Sequence, residues 1–149
     1  MERSGIKRIQ IIAALIAVFL IIILVKQMFF NPATEKFLRK EVREINNSCP
    51  IMIDEDTRLD SANVSPDDTI RYHYTMVKIL KDSINIPRLE SNLGTILKDS
   101  YKKNPELESY RKHQVTMVYI YCDKAGDFVT KITLSPVKAG LPKNGSSQK

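Results

Sequence analysis

Two cysteines, two histidines and a scatter of carboxylates are the residues of this chain whose types invite a search for chemistry. Cys49 and Cys122, joined as a disulfide, would close a 74-residue loop. The chain-entropy argument values such a loop at roughly 4 kcal/mol in an oxidising compartment. The simpler reading makes them two small buried hydrophobes. A thiol nucleophile would need a base, and only His73 and His113 are available, with Asp54, Asp60 and Asp123 to orient one of them. Cys49 precedes Pro50 at an expected helix C-terminus, where the backbone dipole raises a thiol pKa. His113 falls in the charged run Arg111-Lys112-His113-Gln114, and His73 on the polar face of an expected strand. The acidic stretch Asp54-Glu55-Asp56, with Asp60 and Asp67-Asp68, suggests calcium at first sight. An EF-hand loop opening at Asp54 would need Gly where Leu59 stands and Glu where Ser65 stands, and would put Arg58 among the ligands. No Gly-rich phosphate loop, zinc spacing or nucleophile elbow is present. The residues therefore nominate no catalytic, cofactor or metal site, and no cofactor or small-molecule ligand is expected. Tyr72-x-Tyr74 and Tyr119-x-Tyr121 read as cross-strand packing or, in the sharper reading, as an aromatic recognition surface.

These residues must be positioned by elements the pattern makes visible. Asn31-Pro32 suits a helix start. Phe37, Leu38, Val42 and Ile45 then recur near 3.6 periodicity opposite a charged face, so residues 31–48 form an amphipathic helix or stalk. Asn47-Ser48-Cys49-Pro50 ends it. Pro50 to Asp54 and Thr57 to Asp60 are short enough to be edge strands, and Ser61 to Asp68 reads as a loop. Thr69 to Val77 alternates with period two and predicts a half-buried strand. Pro87 opens a helix through Tyr101, and Asn104-Pro105 restarts a short helical turn. Val115 to Cys122 is apolar on both faces, as a central strand requires. Asp123 to Asp127 is a hairpin turn, and Phe128 to Leu134 the returning strand.

The strongest signal is at the N-terminus. Every residue from Ile11 to Val25 is apolar. Twelve of them are strongly apolar, together worth about −4 to −7 kcal/mol of insertion free energy. The 22 residues from Ile9 to Phe30 would span about 33 Å as a helix, against a hydrocarbon core of about 30 Å. Ile11, Leu15, Phe19, Ile22 and Val25 are taken as the membrane-spanning core. Neither a signal-peptidase site of small residues nor a lipoprotein cysteine follows directly. The compact cluster Arg3, Lys7 and Arg8 favours an N-terminus inside the cytoplasm and the remainder outside.

The net charge of +6 lies at the two ends, because residues 31–134 hold 16 basic and 16 acidic side chains. A neutral folded region has no general field to draw nucleic acid, which argues against such a partner.

The fold expected is α+β: an N-terminal transmembrane helix, then a small antiparallel sheet packed with two or three helices. The boundaries are 1–30 for a cytoplasmic tail and transmembrane anchor, 31–48 for the amphipathic helix, 49–134 for the α+β domain and 135–149 for a disordered tail. Asn46-Asn47-Ser48-Cys49-Pro50, Asp54, Thr57-Arg58-Leu59-Asp60 and Tyr72-x-Tyr74-Thr75 form a pattern that resembles small exported or membrane-anchored bacterial proteins of unknown function. It covers roughly residues 45–75 and the final hairpin; the resemblance implies an envelope location and no catalytic residue. The function expected is that of a single-pass envelope protein, non-catalytic, whose partners are the lipid bilayer and a protein. Two alternatives stand beside it: an anchored enzyme using Cys49 or the acidic loop, and a cytoplasm-facing adaptor.

Overall fold

A computed structural model describes residues 12, 14–22 and 32–136. Helix α1 (Pro32–Ser48) buries the stripe the sequence predicts. Leu38 has 0% of its surface exposed, and Phe37, Val42 and Ile45 pack half-buried around it. The opposite face carries the pairs Arg39–Glu35 and Lys40–Glu44, at the i,i+4 spacing that supports a helix. The two-residue strand β1 (Ile51–Met52) follows, then β2 (Thr57–Ser65) and β3 (Thr69–Met76). Helix α2 (Ile86–Lys103) is capped by Asn85, whose Oδ1 accepts from the Arg88 amide at 3.1 Å. A 3-10 turn (Pro105–Leu107) and the short α3 (Glu108–Lys112) lead to β4 (Thr116–Cys122) and β5 (Phe128–Leu134).

The strands form one sheet in sequential order, β1-β2-β3-β4-β5. It is mixed, which corrects the expectation of an antiparallel sheet: β3 and β4 run parallel, with Tyr72 beside Tyr119 and Tyr74 beside Tyr121. The cause is the connection between them. Chain leaving the top of β3 returns down one face as α2 and re-enters the sheet where β3 began, so β4 must point the same way. The expected loop over Ser61–Asp68 is also corrected, since β2 continues to Ser65 and pairs with β3 down to Thr69. Only Pro66, Asp67 and Asp68 form the turn. Asp67 and Asp68 adopt positive φ of 61° and 50°, which aspartate tolerates better than most residues. The polar composition of 61–65 belongs to a strand whose outer face meets solvent.

Both main helices cover the same face, α1 over β2 and α2 over β5. The core lies between: Leu59, Ala62, Ile70, Met117 and Leu134 with a set of tyrosines. Val118 on the outer face of β4 is also buried, in accord with the apolar pattern of that strand on both sides.

Residues 14–22 are helical, with Leu15, Phe19 and Ile22 exposed. Among the described residues no helix is long and apolar enough to cross a membrane. Most of the span expected from Ile9 to Phe30, including Ile11 and Val25, lies outside the described residues, as does the tail beyond Pro136.

Candidate functional site

All six tyrosines of the chain contribute to the half of the domain between sheet and helices. Tyr72, Tyr74, Tyr119 and Tyr121 form a floor on β3 and β4. Tyr74 stacks on Tyr121 with ring centres 5.1 Å apart, and Tyr72 on Tyr119 at 5.3 Å. The parallel register makes these contacts, because each Tyr-x-Tyr pair presents both rings to one face. Tyr110 enters from α3, and Phe37 meets its ring edge-on at 5.3 Å. The Tyr110 hydroxyl donates to Glu41 Oε2 at 3.0 Å. Helices α3 and α1 are thereby joined by a polar contact at the edge of an apolar interior.

Burial pushes the tyrosine hydroxyls up, and neighbouring tyrosines add to the rise at Tyr72, Tyr74 and Tyr119. Tyr110 and Tyr121 are each pushed up to about 12. The floor is neutral and apolar at any physiological pH. Tyr101, on the last turn of α2, is 7% exposed, and its hydroxyl is the one buried side-chain polar atom without a hydrogen-bond partner among the described residues.

Around the floor stand half-buried apolar side chains: Val42 and Ile45 on α1, Cys49 just past its end, and Leu93 and Leu97 on α2. Helix α2 is the less covered wall. Of its residues only Tyr101 is buried; Leu89, Leu93 and Leu97 remain partly open, and Ile96 is 63% exposed. The arrangement is an aromatic floor between two helices with one wall incompletely packed.

Each residue proposed for chemistry has a specific environment. Cys49 and Cys122 are free thiols, each half-buried, so no disulfide joins them. Burial and the Asp60 charge raise the pKa of Cys49; Cys122 is raised by burial and then by Asp123, Asp60 and Asp127. Thiols so placed are poor nucleophiles at neutral pH. His73 Nε2 lies 2.8 Å from Asn63 Oδ1, and His113 stacks on Phe37 at 4.7 Å with Nδ1 3.3 Å from Thr34 Oγ1. Neither imidazole meets a thiol. The carboxylates named as orienters hold backbone amides or, for Asp60, the side chains of Arg58 and Thr75. Asp54 Oδ1 accepts from the amides of Asp56 and Thr57. Asp60 holds Arg58 Nε at 2.5 Å and accepts from Thr75 Oγ1 at 2.6 Å. Asp123, 1% exposed, accepts from the amides of Lys81, Ala125 and Asp127. No group of His, Cys, Asp and Glu able to hold a metal ion occurs among the described residues.

The recurring pattern noted in the sequence has a structural reading that spacing alone did not reveal. Asn46 on α1 grips strand β2 at both backbone atoms of Ala62: its Nδ2 donates to the carbonyl at 2.9 Å, and its Oδ1 accepts from the amide at 2.7 Å. The contact falls beside the irregularity between Leu59 and Ser61. Arg58, Asp60 and Thr75 form a cross-strand trio on the outer face, and Tyr72 and Tyr74 the floor within. The pattern is a scaffold.

The layered α+β arrangement, helices on one face of a five-stranded mixed sheet, defines the class. The chain belongs to the family described as domain of unknown function DUF8479, which matches residues 33–129. Three solved structures share the fold. A candidate secreted protein from Pseudomonas aeruginosa is 19% identical, with a TM-score of 0.56 over 69% of this chain and 89% of its own. The type 2 secretion system pilotin EpsS of Vibrio vulnificus is 10% identical, with a TM-score of 0.53 over 70% of this chain and 94% of its own. The type II secretion system pilotin AspS of Vibrio cholerae is 11% identical, with a TM-score of 0.53 over 69% of this chain and 89% of its own. Among curated proteins no sequence match is found.

Proposed function

We propose that this chain is a non-catalytic envelope protein, held at a membrane by its apolar N-terminal segment, whose folded unit docks a protein partner between α1 and α2. The observation that carries the reading is the open wall: α2 presents Leu89, Leu93, Ile96 and Leu97 beside a neutral tyrosine floor without covering them. Burying such a stripe on a partner's apolar segment yields about 25 cal/mol per Å² of surface removed from water. The fold shared with pilotins of type II secretion systems supports a partner belonging to an envelope assembly. The apolar run of residues 11–25 supports anchoring, and the cluster Arg3, Lys7, Arg8 supports a cytoplasmic N-terminus with the folded unit outside.

A photoreactive residue placed at Ile96 in the membrane-held full chain is expected to cross-link a discrete partner in cells, whereas one at Lys131 on the outer sheet face is not. Ile96→Glu should abolish the cross-link from a probe at Leu89 while leaving the melting transition unchanged, since Ile96 contributes little to the core. Equal cross-linking from both faces, or none from Ile96, would remove the docking proposal. A C-terminal reporter active only in the cytoplasm would reverse the orientation and favour the adaptor alternative. No observation favours the enzyme alternative, whose thiol has no base and whose acidic loop is engaged in its own turn.

A further inference from the structure

At the lower end of the sheet, where β5 ends, a cavity of about 390 Å³ opens between the last turns of α2, the loop after α3 and residues Thr133 to Pro136. Its charged lining is entirely cationic: Lys98, Lys102 and Arg111. The other lysines of these helices are neutralised, Lys103 by Asp99 and Lys112 by Glu108. Lys98 and Lys102 have no ion pair among the described residues, although they stand one turn apart, a like-charge spacing that disfavours a helix by itself. Arg111 is held in place by donating Nη1 to the carbonyls of Tyr101 at 2.7 Å and Asn104 at 2.9 Å. Tyr101 also lines the cavity, and its unpartnered hydroxyl lies within the field of Arg111. Fixed guanidinium, two unpaired ammonium groups and a buried O–H lacking an acceptor share one need, an oxyanion.

The position of this cavity narrows the choice of anion. Helix α1 starts at Pro32, and Thr34 in its first turn touches His113, whose neighbour Gln114 lines the cavity. Helix α1, which follows the apolar segment in the chain, therefore begins at the end of the fold that carries the cavity. We infer that the Lys98, Lys102 and Arg111 cavity binds the phosphate of an anionic phospholipid headgroup and so seats the folded unit against the membrane that anchors it. This rests on the anchor reading above. It differs from the docking proposal, which concerns the exposed apolar stripe of α2. Cations arranged toward an anionic leaflet act over about a Debye length, about 8 Å in physiological salt, so the seating is short-ranged and salt-sensitive.

The test uses the full chain reconstituted in nanodiscs of phosphatidylcholine alone or of phosphatidylcholine with phosphatidylglycerol, read by amide hydrogen exchange. Amides of 98–114 are expected to exchange several-fold more slowly in the phosphatidylglycerol discs, and high salt should erase the difference. Lys98→Gln with Lys102→Gln should also erase it without altering the melting transition. The same exchange in both lipids, or a difference the double variant leaves intact, overturns the inference. If glycerol 3-phosphate added to phosphatidylcholine discs slows exchange equally well, the cavity is a site for soluble phosphates and the lipid assignment falls. Release of the chain from membranes by alkaline carbonate would instead remove the anchor reading, and the seating with it; retention together with lipid-independent exchange removes the seating alone.

Discussion

Asp123 shows how one carboxylate can look catalytic in a sequence and be structural in the fold. It closes the β4–β5 turn by accepting from Ala125 and Asp127, and ties that turn to residues 79–81 through the Lys81 amide. Those backbone donors, Lys81 first, hold its pKa below the usual carboxylate value; Asp54 is likewise lowered, by the amide of Asp56 foremost. A depressed folded pKa contributes stability above the unfolded value of about 3.9 that is lost as pH falls through the folded one. Acid melts should therefore show stability declining below about pH 4, and Asp123→Asn should lower the melting temperature at neutral pH while flattening that decline. The tyrosines act with the opposite sign. Their folded pKa values are raised, so their contribution is complete below the unfolded value of about 10 and is lost as pH rises toward the folded values. For Tyr110 and Tyr121 those lie at about 12. Alkaline titration is expected to ionise the tyrosines together with loss of circular dichroism; stepwise ionisation of a still-folded chain would contradict their burial. Both thiols, raised by burial, should react slowly with an aromatic disulfide reagent until denaturant is added. Rapid reaction of either in the native protein would reopen the nucleophile question.

Among the elements, α1 is a layer of the domain, bound to β2 by Leu38 beneath and Asn46 at its C-terminal end. Truncating a fully buried leucine costs about 2–5 kcal/mol, and Leu38→Ala should fall in that range by chemical denaturation. Asn46→Ala leaves two backbone groups of Ala62 without their partners, so a loss of about 1–3 kcal/mol is expected. A value near zero would mean that water replaces the amide. Helix α2 behaves differently. Its apolar stripe is only half covered, so hydrogen exchange should show α2 opening more readily than α1 or the central strands, and slowing when a partner is bound.

On the scale of the whole molecule, the two faces of the sheet and its lower end have different characters. The outer sheet face is a surface of polar pairs, Arg58 with Asp60 and His73 with Asn63. The opposite face is aromatic beneath a half-covered α2, and the lower end gathers the unpaired cations Lys98 and Lys102 beside Arg111. Under the anchoring and seating proposals, such a molecule would present the apolar stripe of α2 laterally while its cationic end meets the bilayer. Full-length chain should pellet with membranes and resist alkaline carbonate, whereas residues 31–149 expressed alone should stay in the supernatant without detergent.

What sequence alone determined are the features set by neighbours along the chain. The amphipathic stripe of α1, the period-two strands β3 and β4, the Asp123–Asp127 turn and the return over Phe128–Leu134 all follow from local periodicity and turn chemistry. The neutrality of residues 31–134 is likewise countable. Tertiary structure decided what depends on distant partners. The parallel pairing of β3 with β4 comes from the path of the chain between them. So does the meeting of Tyr101 and Tyr110 with the four strand tyrosines, which no spacing announces because the residues come from four separate elements. Asn46 found Ala62, and Arg111 on α3 found Lys98 and Lys102 on α2, for the same reason: side chains on different elements acquire a shared environment only when the backbone has folded around it.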